Sequence, residues 1–557
     1  MKKSCTQCSA PFEITTDDLA FYEKVSPEFG GKKYLIPPPT LCQDCRLQRR
    51  LTFRNERKLY HRKCDLTGKQ IISVYAPEKP FTVYEQSAWW SDSWDPFAYG
   101  QEIDLHRSFF EQFRMLSRKV PIPHIHMESC ENTDYANFCW GTKNSYLVFG
   151  TDRSRDCSYS NLLIDCENCI DCSCSKQCTF CYQLIDCTQC YRSMYSKDCV
   201  NCDEVNFSID CKQCKHCFGC TGLRQKEYHM FNTPVSKSEY QEKLSALVLN
   251  EQAINHAHAM AQKHWANHPR LFSNLLQCEE CTGDNLLQCK RCTDCFEGMQ
   301  AVDCVRCQNI PMQASDCRDV YSVGYGSENC YESYCIAAKN TLFSYLIYPS
   351  GNKVMYSSFC NACNDVFGCI GLRHKQYCIL NKQYSKEEYE ILVPKIIEKM
   401  RTDSEWGEFF PVNLSAFLYN ETLAQEYVPL SKQEVLSRGW EWQDEEESKD
   451  QYLGPVYTIP DSIRETTDDI TKQILQCSVT GKPFKIIPQE LKFYREMNLP
   501  IPRKSPDQRH KERMALRNPR KLWTRACAKC SEKIETTYSP ERPETVYCEQ
   551  CYLSTVY

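Results

Sequence analysis

Eight cysteines near the two ends of the chain have the spacing that holds a tetrahedral metal ion. Cys5-x2-Cys8 with Cys42-x2-Cys45 forms one set of four, and Cys527-x2-Cys530 with Cys548-x2-Cys551 forms the other. Two CxxC pairs on separate hairpin-like segments can place four thiolates around one Zn²⁺ at ~2.3 Å. Zinc is therefore the expected cofactor, one ion at each set; iron or uncoordinated thiols are the alternatives. Four protein ligands close the coordination sphere, which predicts structural rather than catalytic sites.

A basic stretch accompanies each set. Residues 46–63 carry Arg46, Arg49, Arg50, Arg54, Arg57, Lys58, Arg62 and Lys63 against Glu56, net +7. Residues 509–526 carry Arg509, Lys511, Arg513, Arg517, Arg520, Lys521 and Arg525 against Glu512, net +6. Positions 46, 50, 54, 57, 58 and 62 fall within about half of a helical wheel, and all six have basic counterparts in the second stretch. A basic helix beside a zinc ribbon is a nucleic-acid footprint, so RNA or DNA backbone is one expected partner. The other readings are an acidic protein surface, a solvated face, or arginines packed on aromatic residues such as Phe53 and Tyr60.

Catalytic patterns are thin. The chain has no Walker loop, no GxGxxG after a strand, no HExxH and no GxSxG. His124 and His126 could join Cys130 at a metal, or form a polar cap; His264 and His268 lie one helical turn apart, as ligands or as solvated side chains. No cysteine has a sequence-local His and acidic partner, so no catalytic residue is assigned and an enzyme is disfavoured.

The elements that must position these residues are repeats. Residues 42–90 align with 505–553 at a constant shift of 463, and 11–22 align with 483–494 at 472. Each copy has places for two four-cysteine sites and has kept one. The other set has decayed to Cys64, Thr67, Glu85 and Ala88 in the first copy, and to Cys477, Thr480, Ser505 and Gln508 in the second. Cys64 and Cys477 are expected to pack as small apolar relics.

Cys5-x2-Cys8, Phe12, Phe21-Tyr22-Glu23-Lys24, the prolines at 37–39 and Cys42-x2-Cys45-Arg46 resemble a small bacterial zinc-ribbon domain, over residues 5–50. The whole chain also resembles a family of long, uncharacterised cysteine-rich proteins from uncultured bacteria, most of all from Phe410 to Tyr557. The resemblance implies zinc binding and no further activity.

Between the ribbons lies a cysteine-rich middle. Of 17 cysteines from 130 to 220, 16 fall at 130 plus a multiple of three, Cys174 being the exception, and none of the 32 positions in that phase up to Leu223 is charged. Leu163-Ile164-Asp165-Cys166 returns 21 residues later as Leu184-Ile185-Asp186-Cys187. Like residues stacked on like predict a β-solenoid, with a coil of about 21 residues and the triplet phase lining a narrow interior. CxxC pairs such as 166/169 and 187/190 would then stack on adjacent coils. Phe218-Gly219-Cys220 and the residues after it return as Phe367-Gly368-Cys369, a shift of 149, so the array is doubled, and the second copy is expected to be less regular. The solenoid cysteines are expected to be packed thiols, with extra metal, or disulfides and redox chemistry, as alternatives.

The fold class expected is therefore mostly β, with two cysteine-lined β-solenoid arrays flanked by terminal zinc-ribbon units and joined by helical linkers. The segments are a ribbon unit at 1–100, a helical linker at 101–126, array A at 127–234, a helical linker at 235–270, array B at 271–384, a helical and acidic region at 385–470, and a ribbon unit at 471–557. The acidic stretch 441–450 should be an exposed linker. The 557 residues carry 67 Lys+Arg against 72 Asp+Glu, net −5, so no global charge marks a nucleic-acid or membrane protein. No apolar run reaches the ~18 residues of a membrane span, and the first residues have no apolar export signal. A cytoplasmic zinc-binding scaffold is the leading expectation, a thiol-rich metal buffer the second, and an enzyme with a site in the solenoid groove the third.

Overall fold

The computed structural model describes residues 1–245, 250–302, 318, 321–323, 329–444 and 454–557. Most of the chain between the ribbons is β-solenoid, about 18 turns over the two arrays, with a four-cysteine cluster toward each end of the sequence.

The triplet has a backbone cause. From Ser129 to Phe231 every third residue has a positive φ near 50°, with Gly141, Gly150, Gly219 and Gly222 among them. Each such left-handed residue turns the chain through a corner, and the residue after it points inward. The third residue of the triplet pairs in parallel with the one twelve positions on, as Asn137 does with Phe149 and Trp140 with Asp152. The coil is thus 12 residues, four triplets and four inward side chains, and not the 21 expected. The 21-residue recurrence is a sequence echo of seven triplets; it does not bring Cys166 over Cys187. Cys166 stacks toward Cys178, and Cys187 toward Cys199.

So small a coil admits only small residues. Cys, Ser, Thr, Ala, Val and Leu fill the inward phase from Ala136 to Cys220, fully buried. Thiols and hydroxyls there donate to the carbonyl two residues back, as Cys166 Sγ does to Ile164 O (3.5 Å) and Ser160 Oγ to Ser158 O (2.9 Å). The left-handed corners cost a non-glycine residue ~1–2 kcal/mol, and Asn and Asp tolerate them best; Asn132, Asn144, Asp156, Asp165, Asn168 and Asp171 all stand at corners. Cys174, the one cysteine out of phase, is a corner residue.

Array B is less regular, as expected. Its registers step by 11 (Leu275 to Leu286), 12 (Gly283 to Cys295) and 13 (Lys339 to Asn352). Gly283 is required where it stands: φ is +136°, and a Cβ there would fall 1.7 Å from Cys295 O.

The predicted linkers are only partly helical, over Phe109–Ser117, Lys237–Ser245 and Glu251–Ala266. Array B ends in the helix Lys386–Thr402, entered through a Ser385/Glu388 capping box. Residues 445–450 of the acidic stretch lie outside the described residues. The segments group into two compact units. The first comprises Met1–Ile125, Ser273–Gln443 and Arg520–Leu522, the second His126–Phe272, Asp444–Pro519 and Trp523–Tyr557. Each ribbon copy thus belongs with the array farther from it in sequence. Among the described residues no helix is long and apolar enough to cross a membrane.

Candidate metal centres and their arginine latches

Each four-cysteine set is assembled from a knuckle and a helix start. Cys5 and Cys8 lie on the turn between strands Lys2–Ser4 and Pro11–Glu13; Cys527 and Cys530 lie between Trp523–Ala526 and Lys533–Thr536. The turn closes through Ser9 N to Cys5 O and Ser531 N to Cys527 O, both 2.9 Å. The third cysteine is a helix N-cap and the fourth sits in the first turn: Cys42 and Cys45 on helix Gln43–Leu51, Cys548 and Cys551 on helix Glu549–Val556. Helix N-termini favour thiolates.

The eight side chains expected as ligands form two compact groups, with all four sulfurs of each within 4.8 Å of one another. Cys8 Sγ is 3.7 Å from Cys42 Sγ, and Cys530 Sγ is 3.7 Å from Cys548 Sγ. A tetrahedron with ~2.3 Å arms has edges of ~3.8 Å, so both sets fit one closed tetrathiolate ion. Within each set some thiols are held down and others are pushed up by their neighbours. The Cys45 S–H bond holds Cys42 down to about 5 against its burial. Burial pushes Cys527 up, but amides of Cys548, Cys530 and Lys529 bring it to about 6.

The two decayed sites keep the same backbone. Gly68 N bonds to Cys64 O and Gly481 N to Cys477 O, both at 2.9 Å, with positive φ at each glycine. Glu85 and Ser505 stand as helix N-caps where Cys42 and Cys548 stand in the intact sites. Cys64 is buried but is more than an apolar relic: its sulfur accepts from Thr67 N (3.4 Å) and Glu85 N (3.2 Å). Burial raises Cys477, yet bonds from Thr480, Ser505 and Val479 bring it to about 7. Backbone amides that face a ligand sulfur in the intact sites satisfy a single thiol here.

The basic stretches are not continuous helices. The first helix ends at Leu51 and the second, Pro506–Ala515, ends before Arg517, while Arg62 and Arg525 lie on the strands Tyr60–Lys63 and Trp523–Ala526. Most of the arginines are buried against carboxylates. In the first unit Arg46 Nε and Arg50 Nη1 reach Glu332 Oε1 at 2.9 and 2.7 Å, and Arg49 Nη2 reaches Oε2 at 3.2 Å. In the second, Arg509 Nη1 and Arg513 Nη1 reach the two oxygens of Asp171 at 2.8 and 2.6 Å. Arg509 also lies beside Glu490 and Tyr494, and Arg517 forks onto Asp186 at 3.2 and 3.1 Å. Arg54 pairs with Glu56 over the Tyr334 ring. Arg62 donates to Ala76 O and Phe81 O, and Arg525 to the matching Ser539 O and Glu544 O. Arg520 pairs with Glu297 (3.1 Å) inside the first unit.

These contacts turn most of the arginines of the two stretches inward. Arg46, Arg50, Arg54, Arg62, Arg509 and Arg513 are buried, and a phosphate could reach them only by displacing the carboxylates or, at Arg62, the carbonyls that hold them. Arg57 is half-buried; Lys58, Lys63, Lys511 and Lys521 are the exposed cations of the two stretches.

Asp171 and Glu332 are buried ion-pair partners that the sequence reading missed. Both stand at left-handed corners of equivalent columns. In array A that column runs Tyr135, Leu147, Tyr159, Asp171, Gln183, Tyr195, Phe207, Gly219, Phe231; in array B it includes Glu332, Phe343, Tyr356, Gly368 and Leu380. Each has one charge among the described residues, and there the i,i+4 arginines of a ribbon helix close. The lone charge is readable only once the coil is known to be 12 residues long.

The remaining candidates are structural in their contacts. His124 is half-buried, and the loss of solvation holds it down to about 4, while His126 stacks on Phe138 at 5.0 Å. The His264 and His268 rings are 4.5 Å apart, and His268 Nδ1 lies 2.9 Å from His264 O. The chain matches no protein-family model and no curated protein.

Proposed function

We propose that the protein is a zinc-bound scaffold in which each ribbon unit is folded by one structural Zn²⁺ and latched through its arginines to one solenoid array. The observation that carries this reading is the 3.7 Å sulfur spacing, the same in both sets. That spacing suits tetrahedral thiolate coordination, with no ligand position left for substrate. The resemblance of residues 5–50 to a bacterial zinc ribbon supports the same ion. Structural zinc supplies much of a small ribbon's folding free energy. Cys42→Ser and Cys548→Ser should therefore each release one ion and disorder the adjoining knuckle while array β-structure persists; retention of both ions by either variant would overturn the assignment.

The latches give the arginines a scaffold role, since a solenoid presents the same surface every coil and one buried carboxylate fixes where the ribbon docks. For a nucleic-acid backbone or an acidic protein as partner, exposed Lys58, Lys63, Lys511 and Lys521 are the side chains that support contact. Retardation of RNA or DNA at low salt, lost when these four become Glu, tests it. The thiol-buffer reading is weaker because the array A thiols other than Cys130 and Cys174 are sealed within the coils.

A further inference from the structure

Array B begins with a second kind of thiol group. Cys278-x2-Cys281 spans the corner at Glu280, and Cys289-x2-Cys292 spans the corner at Arg291 one coil on. The register is fixed by pairing of Leu275 with Leu286 and Leu276 with Leu287, and by the bridge from Glu279 to Lys290. Glu279 N bonds to Cys289 O at 3.0 Å, Thr282 N to Cys292 O at 2.8 Å, and Cys292 N to Cys281 Sγ at 3.5 Å. The same 11-residue register sets Cys278 over Cys289 and Cys281 over Cys292, so the four thiols form a ring of two stacked pairs. Cys289 and Cys292 are buried in the array, whereas Cys278 and Cys281, on its first coil, are partly exposed.

The shape of this ring selects its ion. Tetrahedral zinc needs six sulfur–sulfur edges of ~3.8 Å, and among the described residues the two terminal sets are the compact groups of that kind. In the ring one side is set by the stacking of coils, ~4.8 Å. A two-coordinate ion holds its sulfurs in a line, farther apart than the edge of a tetrahedron with the same arms. Thiolate ligands also favour soft monovalent ions. We propose that Cys278, Cys281, Cys289 and Cys292 form a site for a soft, two-coordinate monovalent metal ion of the Cu⁺ class, entered from the first coil of array B. Each ion joins one thiol of the first coil to one of the second and displaces their two protons, leaving a singly negative bis-thiolate.

The test uses full-length, zinc-loaded, reduced protein under anaerobic conditions, titrated with Cu⁺ against a chromogenic Cu⁺ chelator. Zinc and copper are both counted after desalting. The expected result is about one Cu⁺ or more held per chain with zinc unchanged, and loss of that copper in Cys278→Ser/Cys281→Ser. Cys130→Ser, which removes the partly exposed thiol at the start of array A, should keep it. Copper uptake only as zinc is released, no uptake, or equal uptake by the double variant would overturn the proposal. A chain that binds Cu⁺ here but carries no zinc would instead refute the terminal zinc reading.

Discussion

Asp171→Asn should uncouple the second ribbon from its array without touching a metal ligand. Asp171 is fully buried and takes Arg509 and Arg513 on separate oxygens, with Arg513 also donating to Tyr159 O at 3.0 Å. Asparagine keeps the shape and removes the charge, leaving two buried guanidinium groups with Glu490 as the remaining carboxylate nearby. Removing one member of a buried ion pair costs ~3–5 kcal/mol, because the partner's charge stays buried. At ~2–4 °C per kcal/mol for a body of this size, the unfolding midpoint of the second unit should fall by ~6–20 °C. The assay is calorimetry or circular dichroism on zinc-replete protein, with zinc counted before and after. Glu167→Gln is the control, since it breaks an exposed ion pair with Arg155 of similar length, 2.7 Å, and should leave the midpoint near wild type. If Asp171→Asn shifts the midpoint no more than Glu167→Gln, the latch does not hold the ribbon to the array and the reasoning fails.

The first unit should show the same latch in its acid response. Burial pushes the Glu332 carboxyl up, but Arg50, Arg49 and Arg46 outweigh it and hold it below the ordinary range. A depressed acid contributes stability above its unfolded pKa and loses it as pH falls through the lower folded value. Wild type should thus lose first-unit stability on acidification below the ordinary glutamate range, with that step absent in Glu332→Gln; matching midpoint–pH curves below pH 4.5 would refute it. Cys166, Cys187 and Cys211 are buried in array A and should label slowly with a thiol reagent until denaturant is added, whereas fast native labelling would mean open coils. At the corner residue Asn201, φ 53°, a glycine should be tolerated and a valine should destabilise by ~1–2 kcal/mol, measured by denaturant unfolding; equal midpoints would contradict a left-handed corner there.

The ribbons were legible because metal ligation fixes both residue type and spacing. Cys5, Cys8, Cys42 and Cys45 announce a site in any context, and the decayed partners at Cys64 and Cys477 are visible by alignment to them. The inward phase of the solenoid was legible for a similar reason, since a narrow interior tolerates no charge. Coil length was not. The echo of Leu163-Ile164-Asp165 at Leu184-Ile185-Asp186 suggested 21 residues, whereas the 12-residue coil follows from left-handed corners whose cue, Asn and Asp one residue before the inward position, is diluted by Tyr159, Phe180 and Arg192. Without coil length the lone charges at Asp171 and Glu332 could not be seen. The arginines then read as a solvent-facing stripe, because sequence shows charge but not the carboxylate, hundreds of residues away, that neutralises it.

The central claim is that two closed tetrathiolate zinc sites hold the ribbons. Zinc-edge X-ray absorption on the purified full chain, with elemental analysis of the same sample, tests it most directly. Two zinc ions per chain, each with four sulfur neighbours at ~2.3 Å and no nitrogen or oxygen in the first shell, is the result expected. One zinc, iron in its place, or a mixed nitrogen and sulfur shell would contradict it.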